Sequence, residues 1–352
     1  MFLCDGQMSA RKNVAEKERV DRYARQMVLK EIGKEGQERL GRSSVVVIGV
    51  GALGTFHASY LARAGVGRII LVDRDIVELN NLQRQVLFDE GDIGVPKAMA
   101  AKEHLQRINS TIIIDAVVKD FNSMNAEELL DGKIDVVLDG TDNMDVRYLI
   151  NDVCVSKKIP WVYGGAVGTS GMVYAVRPGG PCFRCIFPQP PDAGDLQTCD
   201  TAGVLNTLPG VVAALQVTEC FKILTGKQTS SDIQTIDLWT NEFRKVTVAR
   251  DEGCPACALG RFEFLHPPKR KLYTSLCGRN AVQIIPDKKQ EVSIKQLAAK
   301  LSPIGSVEAK GGVLFFKSDD AEIIVFKDGR AIIKGTDDVT RARILFSRYI
   351  GD

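Results

Sequence analysis

Apolar and polar positions divide this chain into three stretches. Residues 14–40 are charged and helix-prone, an amphipathic lead-in containing Arg22-Tyr23-Ala24-Arg25-Gln26. From Ser44 onward, near-continuous apolar runs alternate with helical patterns. Ser44–Val50, Arg68–Val72, Ile112–Val118, Ile134–Leu138 and Trp161–Gly164 read as strands. The segment ending at Ala64, the one from Pro96 to about Ile108, and Asn143–Lys157 read as helices. Pro96 suits a first helical turn, where the N–H it lacks would have had no partner. Strands apolar at nearly every position are buried on both faces, so the alternation predicts a parallel sheet with helices on both sides.

The pattern then changes. Met172–Arg177 begins a more antiparallel region. Pro188–Gly203 is a loop rich in Pro, Asp and Gly, Leu205–Leu224 is an apolar helix stopped by Gly226, and Ile233–Leu238 and Phe243–Val248 form a strand pair. Past Pro267-Pro268 the order becomes strand (Ala281–Ile285), helix (Ile294–Leu301), three strands (Val313–Phe316, Ile323–Phe326, Ala331–Lys334) and a last helix over about Val339–Tyr349. Asp328-Gly329 marks a hairpin turn. This predicts a large domain over residues 14–268 and a small α+β module over residues 269–352.

Two Cys-x-x-Cys pairs, Cys182/Cys185 and Cys254/Cys257, bear on both regions. A two-residue spacer lets two thiolates bind one metal, and a second pair completes a tetrahedral Cys4 shell that suits Zn2+. Four protein ligands leave no open coordination position, so the predicted zinc is structural. The clip ties a mid-chain loop to a point just before Leu259, where the character of the sequence changes.

Gly49-x-Gly51-x-x-Gly54 follows a predicted strand and opens a helix. Glycines there let backbone N–H groups approach a phosphate at the helix N-terminus. Asp73 follows at about the 20-residue distance where an acidic side chain meets a ribose hydroxyl. The predicted fold class is therefore α/β: a Rossmann-like, mostly parallel sheet with helices on both faces, a zinc-stapled antiparallel extension, and the small C-terminal α+β domain.

Alone, the glycine motif and Asp73 would most simply indicate NAD, and an NAD-dependent oxidoreductase with structural zinc is one alternative. The next stretch argues against it. Asp73-Arg74-Asp75 leads to Asn80-Asn81-Leu82-Gln83-Arg84-Gln85 and then to Lys97 on the Pro96 helix. A dehydrogenase needs one carboxylate there. Arg84 and Lys97 suit a triphosphate losing pyrophosphate, and a carboxylate can hold the accompanying Mg2+. The competing reading is a solvated loop and a surface helix. Asp142 follows the fourth strand, outside whose carboxyl end ligands bind in such sheets. It either reaches Mg2+ and the phosphates or caps the next helix.

With these residues in place, the chain resembles the ThiF/MoeB/HesA family, bacterial relatives of the ubiquitin-activating enzymes. The matching signatures are Arg22-Tyr23-x-Arg25-Gln26, the glycine loop, Asp73-x-Asp75, Asn81-Leu82-Gln83-Arg84-Gln85, Gly94-x-Pro96-Lys97, Thr141-Asp142-Asn143, both cysteine pairs and Thr198-Cys199-Asp200-Thr201-Ala202-Gly203. They span about residues 20–258. The resemblance implies adenylation, with Mg-ATP, of the C-terminal glycine of a small ubiquitin-like sulfur carrier ending in Gly-Gly. It implies that Gly51, Asp73, Asp75, Asn81, Arg84 and Lys97 bind ATP, with Gly49 and Gly54 shaping the loop, and that Asp142 holds Mg2+. Arg25 is implied to reach the phosphates of a neighbouring subunit, hence a homodimer. A sulfur donor, such as a cysteine desulfurase or a rhodanese-like protein, is implied as a further partner. In the thiamine branch the cysteine matching Cys199 joins the carrier; in the molybdopterin branch it is dispensable. Both readings stay open. Related enzymes that modify tRNA or a peptide are the alternative substrate classes. The C-terminal module lacks a rhodanese loop and is expected either to dock the carrier or another partner or to stabilise the fold.

Composition excludes little else. Of 352 residues, 45% are hydrophobic and 26% charged, and the net charge of +2 gives no electrostatic reason to expect nucleic acid or an anionic membrane. Nine cysteines, four in metal-like pairs, suit a reducing compartment, and no apolar run approaches membrane-span length. The expected location is the cytoplasm.

Overall fold

A computed structural model describes residues 21–191, 199–268, 273–276, 280–286 and 291–351. The predicted lead-in ahead of Asp21, the loop ahead of Cys199 and Cys277 lie outside the described residues. Strand β1 (Ser44–Ile48) lies between two parallel neighbours, β2 (Arg68–Asp73) and β4 (Val136–Asp139). Outside them lie β3 (Ile113–Val118) and β5 (Trp161–Val167), also parallel. Three antiparallel strands, β6 (Ser170–Val176), β7 (Asp232–Asp237) and β8 (Glu242–Thr247), extend the sheet in the order β3-β2-β1-β4-β5-β6-β7-β8.

Alternation along β1 explains why both faces must be covered. Val45 and Val47 point into one core, packed by helices α3 (Ala52–Ala64), α4 (Lys97–Ile108) and α9 (Leu208–Leu224). Val46 and Ile48 point into the other, with Tyr148, Leu149 and Val153 of α6 (Met144–Lys157). The lead-in is two helices, α1 (residues 21–27) and α2 (Gly33–Leu40), separated where Gly33 adopts φ 60°. Helix α9 starts at Leu208 rather than Leu205 because Pro209 belongs in a first turn. The remaining short helices are α5 (Ala126–Leu129), α7 (Phe183–Ile186) and α8 (Cys199–Ala202).

The C-terminal sheet is antiparallel. Its order is β11-β12-β13-β14-β10-β9, with β9 (Tyr273–Leu276), β10 (Ala281–Ile284), β11 (Ser306–Lys310), β12 (Val313–Lys317), β13 (Glu322–Val325) and β14 (Ala331–Lys334). Helices α10 (Ile294–Leu301) and α11 (Val339–Tyr349) cover one face through Leu297, Leu301, Leu345 and Phe346. The other face, with Val313, Ile324, Phe326 and Ile332, packs on Ile76 just beyond β2. Strands β9 and β11 were not expected; β11 offers only Val307 and Ala309 as apolar residues, so it carries little strand signal.

Buried Gln216 on α9 joins four elements. Its Nε2 donates to the carbonyls of Asp139 (2.9 Å) and Val162 (3.1 Å), and its Oε1 lies 2.8 Å from His57 Nε2 on α3. Burial pulls the His57 pKa down to about 4, so its neutral ring serves as the donor in that contact at neutral pH. Gln216→Leu would strand three buried polar groups. It is expected to lower the unfolding free energy by about 1–3 kcal/mol, measured by urea titration; an unchanged midpoint would contradict this role.

Candidate functional site

Connections from β1 run through β2 to β3, then return to the far side of β1 for β4, which opens a switch point between the carboxyl ends of β1 and β4. Backbone fills its floor. A Cβ on Gly49 (φ 85°) would lie 2.7 Å from the Gly140 carbonyl oxygen, and one on Gly54 would lie 1.9 Å from the Gly49 oxygen. Gly51 differs: a Cβ there meets nothing closer than 3.9 Å. Gly49 lets the loops after β1 and β4 touch, Gly54 lets α3 close onto its own loop, and Gly51 leaves the start of α3 open to an approaching ligand.

Asp73 ties the glycine loop to β2. Its carboxylate accepts from the Val50 N–H (2.6 Å) and the Asp75 N–H (2.7 Å). Lys97, which a surface helix would expose, is 3% exposed, with Nζ 3.6 Å from Asp75 Oδ2. Arg74 lies 3.8 Å from Asp75 and donates to Asp120 at 2.8 Å. Burial works against the Arg74 charge, but Asp75, Asp120 and Asp142 outweigh it and hold the guanidinium above its ordinary pKa. Asp73, Asp75 and Lys97 meet directly, while Asp142 adds to the field at Arg74.

Asn81, 2% exposed, lies in a 3-10 turn (Leu79–Asn81), where Glu78 and Asn81 cap each other reciprocally. Half-buried Arg84 donates to the Asn80 carbonyl at 2.9 Å. It makes no carboxylate ion pair among the described residues, which leaves its charge available to an anionic ligand.

Asp142 is exposed and does not cap the next helix; Asn143 does, its Oδ1 accepting from the Val146 N–H at 3.2 Å. The loop that displays Asp142 is held by a buried pair that sequence reading missed. Arg147 Nε donates to Asp139 at 3.0 Å, and its Nη2 donates to the carbonyls of Thr141 (2.7 Å) and Gly164 (3.1 Å). Burial opposes the Arg147 charge, and Asp139, then Tyr163 and Asp142, more than offset it, raising its pKa. A basic residue one turn inside an apolar helix face was the available signal.

Arg25 is not brought to this group. Helix α1 is anchored at the opposite end of α3: Gln26 donates to Ala64 O (3.3 Å), and a Cβ on Gly65 would strike the Tyr23 ring. Helix α3 has 13 residues and is therefore about 20 Å long, so exposed Arg25 lies roughly that far from its own glycine loop. The Cys199 backbone opens α8, and nearby Val204 pairs with Gly168 beyond β5.

The four paired cysteines do converge. Cys182 and Cys185 flank the start and last turn of α7, and the loop after β8 brings Cys254 and Cys257 to them. The Cys182–Cys254 and Cys185–Cys257 sulfurs are each 3.5 Å apart, and all four lie within 4.8 Å of one another. A tetrahedron with metal–sulfur bonds of about 2.3 Å has sulfurs about 3.8 Å apart, so the set fits zinc. Asn151 Nδ2 donates to Cys182 Sγ at 3.7 Å, support of the kind metal-binding thiolates receive.

A glycine loop at a switch point, flanked by a buried carboxylate–lysine pair, defines a nucleotide-binding α/β fold. The ThiF family model matches residues 23–256, and the chain belongs to that family. It is 39% identical over 336 residues to the sulfur carrier protein ThiS adenylyltransferase of Bacillus subtilis, covering 94% of this chain and 99% of that protein. It is 42% identical to the sulfur carrier protein adenylyltransferase of Thermus thermophilus, covering 74% of this chain and 98% of that one. The adenylyltransferase and sulfurtransferase MOCS3 of Arabidopsis thaliana is 40% identical, over 68% of this chain and 52% of that protein. The E. coli MccB structure with MccA-N7isoASN shares the fold at TM-score 0.60 and 24% identity, covering 67% of this chain and 74% of MccB.

Removing a metal from the four-cysteine cluster should loosen the junction between β6 and β8. A strong chelator and Cys254→Ser are each expected to lower the melting temperature by several degrees, roughly 2–4 °C per kcal/mol lost in a chain this size. Melting insensitive to both would refute a metal-dependent cluster.

Proposed function

We propose that this protein is an ATP-dependent adenylyltransferase acting on the C-terminal glycine of a small ubiquitin-like sulfur carrier ending in Gly-Gly. The observation that carries the reading is the buried Lys97–Asp75 pair, joined through Asp73 to the glycine loop, together with Arg84, which makes no carboxylate ion pair among the described residues. An NAD enzyme has no use for these cations; a departing pyrophosphate does. One relative whose match takes in the C-terminal module is named for ThiS, which supports the thiamine-thiazole type over the molybdopterin type.

The chemistry follows from the parts. The carrier carboxylate is already a nucleophile and needs no general base. It attacks the ATP α-phosphorus, a phosphorus–oxygen bond forms, and pyrophosphate leaves with the electron pair of the bond that breaks. The product is a mixed anhydride, activated for attack by sulfur. Gly49, Gly51 and Gly54 shape the phosphate approach at α3, Asp73 and Asn81 orient the ribose end, and Asp75 holds Lys97 in place. Arg84 and Lys97 neutralise charge as pyrophosphate separates. Asp142 would hold Mg2+, which supplies further neutralisation of the phosphates. Zinc at Cys182, Cys185, Cys254 and Cys257 would be structural.

Arg25 serves the phosphates of a second copy of the chain in a homodimer, a reading supported by its lying about a helix length from its own glycine loop. Cys199 takes part in later sulfur transfer, with a cysteine desulfurase or rhodanese-like protein as donor, and has no role in adenylation. The working place is the cytoplasm; among the described residues no helix is long and apolar enough to cross a membrane.

With ATP, Mg2+ and a thiazole-type carrier, the protein should catalyse pyrophosphate exchange. Absence of exchange with thiazole- and molybdopterin-type carriers, together with tight NAD binding, would overturn the reading. Arg84→Ala and Lys97→Ala should each cut kcat about 10²–10³-fold while circular dichroism stays unchanged; near-normal turnover would remove both from the phosphate chemistry. Cys199→Ala should keep full exchange and lose any covalent enzyme–carrier adduct seen by mass spectrometry with a persulfide donor present. A mutant forming thiocarboxylate at the wild-type rate would make Cys199 a bystander.

A further inference from the structure

The segment between β2 and α4 carries Asp75, Asn81 and Arg84 and ends at Lys97. It contains only two 3-10 turns, Leu79–Asn81 and Glu90–Asp92. Its two ends pair with each other, the Val77 N–H donating to the Val95 carbonyl and the Gly94 N–H to the Val77 carbonyl (both 2.9 Å), but it holds no regular helix or strand. The C-terminal sheet holds it at five places. Arg330, 1% exposed, lies 3.7 Å from the centre of the Phe326 ring, and its Nη2 donates to the Arg74 carbonyl at 2.8 Å. That carbonyl lies between Asp73 and Asp75. Ile76 is buried in the face of the C-terminal sheet. Lys334 Nζ is 3.7 Å from Glu78, the residue that caps the Asn81 turn. Lys310 donates to the carbonyls of Gly91 and Ile93. Gly311 at the β11–β12 turn sits so close to Pro96 that a Cβ would lie 2.7 Å from its ring; Pro96 caps the helix that begins at Lys97.

We infer that the C-terminal module is a clamp on the nucleotide loop, and that Arg330 is a positioning residue for ATP binding. The inference rests on the adenylation reading. It assigns the module neither carrier docking nor general stabilisation. Arg330 acts through the Arg74 peptide: it fixes the carbonyl while the Arg74 side chain bridges Asp75 and Asp120, so the carboxylate that holds Lys97 is placed from behind. Lys310 and Gly311 set the start of α4 in the same way.

Calorimetry of Mg-ATP binding to the full-length protein, without carrier, tests this. Arg330→Lys, Lys310→Ala and Gly311→Ala should each weaken ATP binding roughly two- to thirtyfold, with the KM for carrier in pyrophosphate exchange unchanged. Arg348→Ala breaks an exposed ion pair with Asp320 inside the module and should leave ATP affinity unchanged even where it lowers the melting temperature. Should Arg330→Lys not fold, the two surface-side variants decide. Wild-type ATP affinity in the folded variants, or an affinity loss in Arg348→Ala matching theirs, would overturn the clamp. A raised carrier KM with unchanged ATP affinity would overturn it in favour of docking. A wild type that binds no ATP would sink both readings. A wild type that binds ATP but exchanges with no carrier would sink the carrier assignment alone, and weaker binding by the variants would still establish the clamp.

Discussion

At the centre of the large sheet, the backbone after β1 touches the backbone after β4. A single methyl on Gly49 or Gly140 would overlap a carbonyl oxygen of the other, so this contact tolerates glycine only. Much of the site depends on it. The contact sets the start of α3 against the sheet and leaves open space at Gly51. It also places Asp73, through the Val50 N–H, beside the cluster of charges. Gln216 and Arg147 secure the β4 side from beneath, one through the Asp139 carbonyl and the other through its carboxylate and the Thr141 carbonyl.

Charge is the second constraint. A buried lysine is costly unless a carboxylate accompanies it, and Lys97 has Asp75. Arg74, Asp120 and Asp142 then form a connected group rather than isolated pairs. Around Arg74 the carboxylates outweigh the cost of burial and hold its guanidinium above its ordinary pKa. The segment that carries these groups is short of regular structure; its own ends pair through Val77, Gly94 and Val95, and a sheet more than 200 residues further along the chain braces it from outside.

Much of this was legible in the sequence, because the signals were local. The five parallel strands appeared as apolar runs, and the bounds of α10 and α11 agreed with the helical period. Both cysteine pairs met as their spacing implied. The glycine loop, Asp73, Asp75, Asn81 and Lys97 fall in one region. What could not be read depended on contacts distant in sequence. Arg330 looks like an ordinary turn residue until β14 is laid against Arg74. The choice of Asn143 over Asp142 as helix cap turns on a one-residue offset, and either side chain is chemically suited to capping. Strand β11 lacks an alternating pattern because much of it is exposed. The separation of Arg25 from the glycine loop follows only from the placement of α1 at the far end of α3.

Hydrogen–deuterium exchange of the full-length protein, with and without Mg-ATP, tests the central claim most directly: one nucleotide site built from the ends of β1, β2 and β4 and supported by the C-terminal sheet. The account predicts that ATP slows exchange at residues 50–54, 73–85 and 141–143, and also at residues 310–313 and 328–334 of the module. Protection at the first three segments with none in the module would contradict the support. No protection at the glycine loop would contradict the site itself.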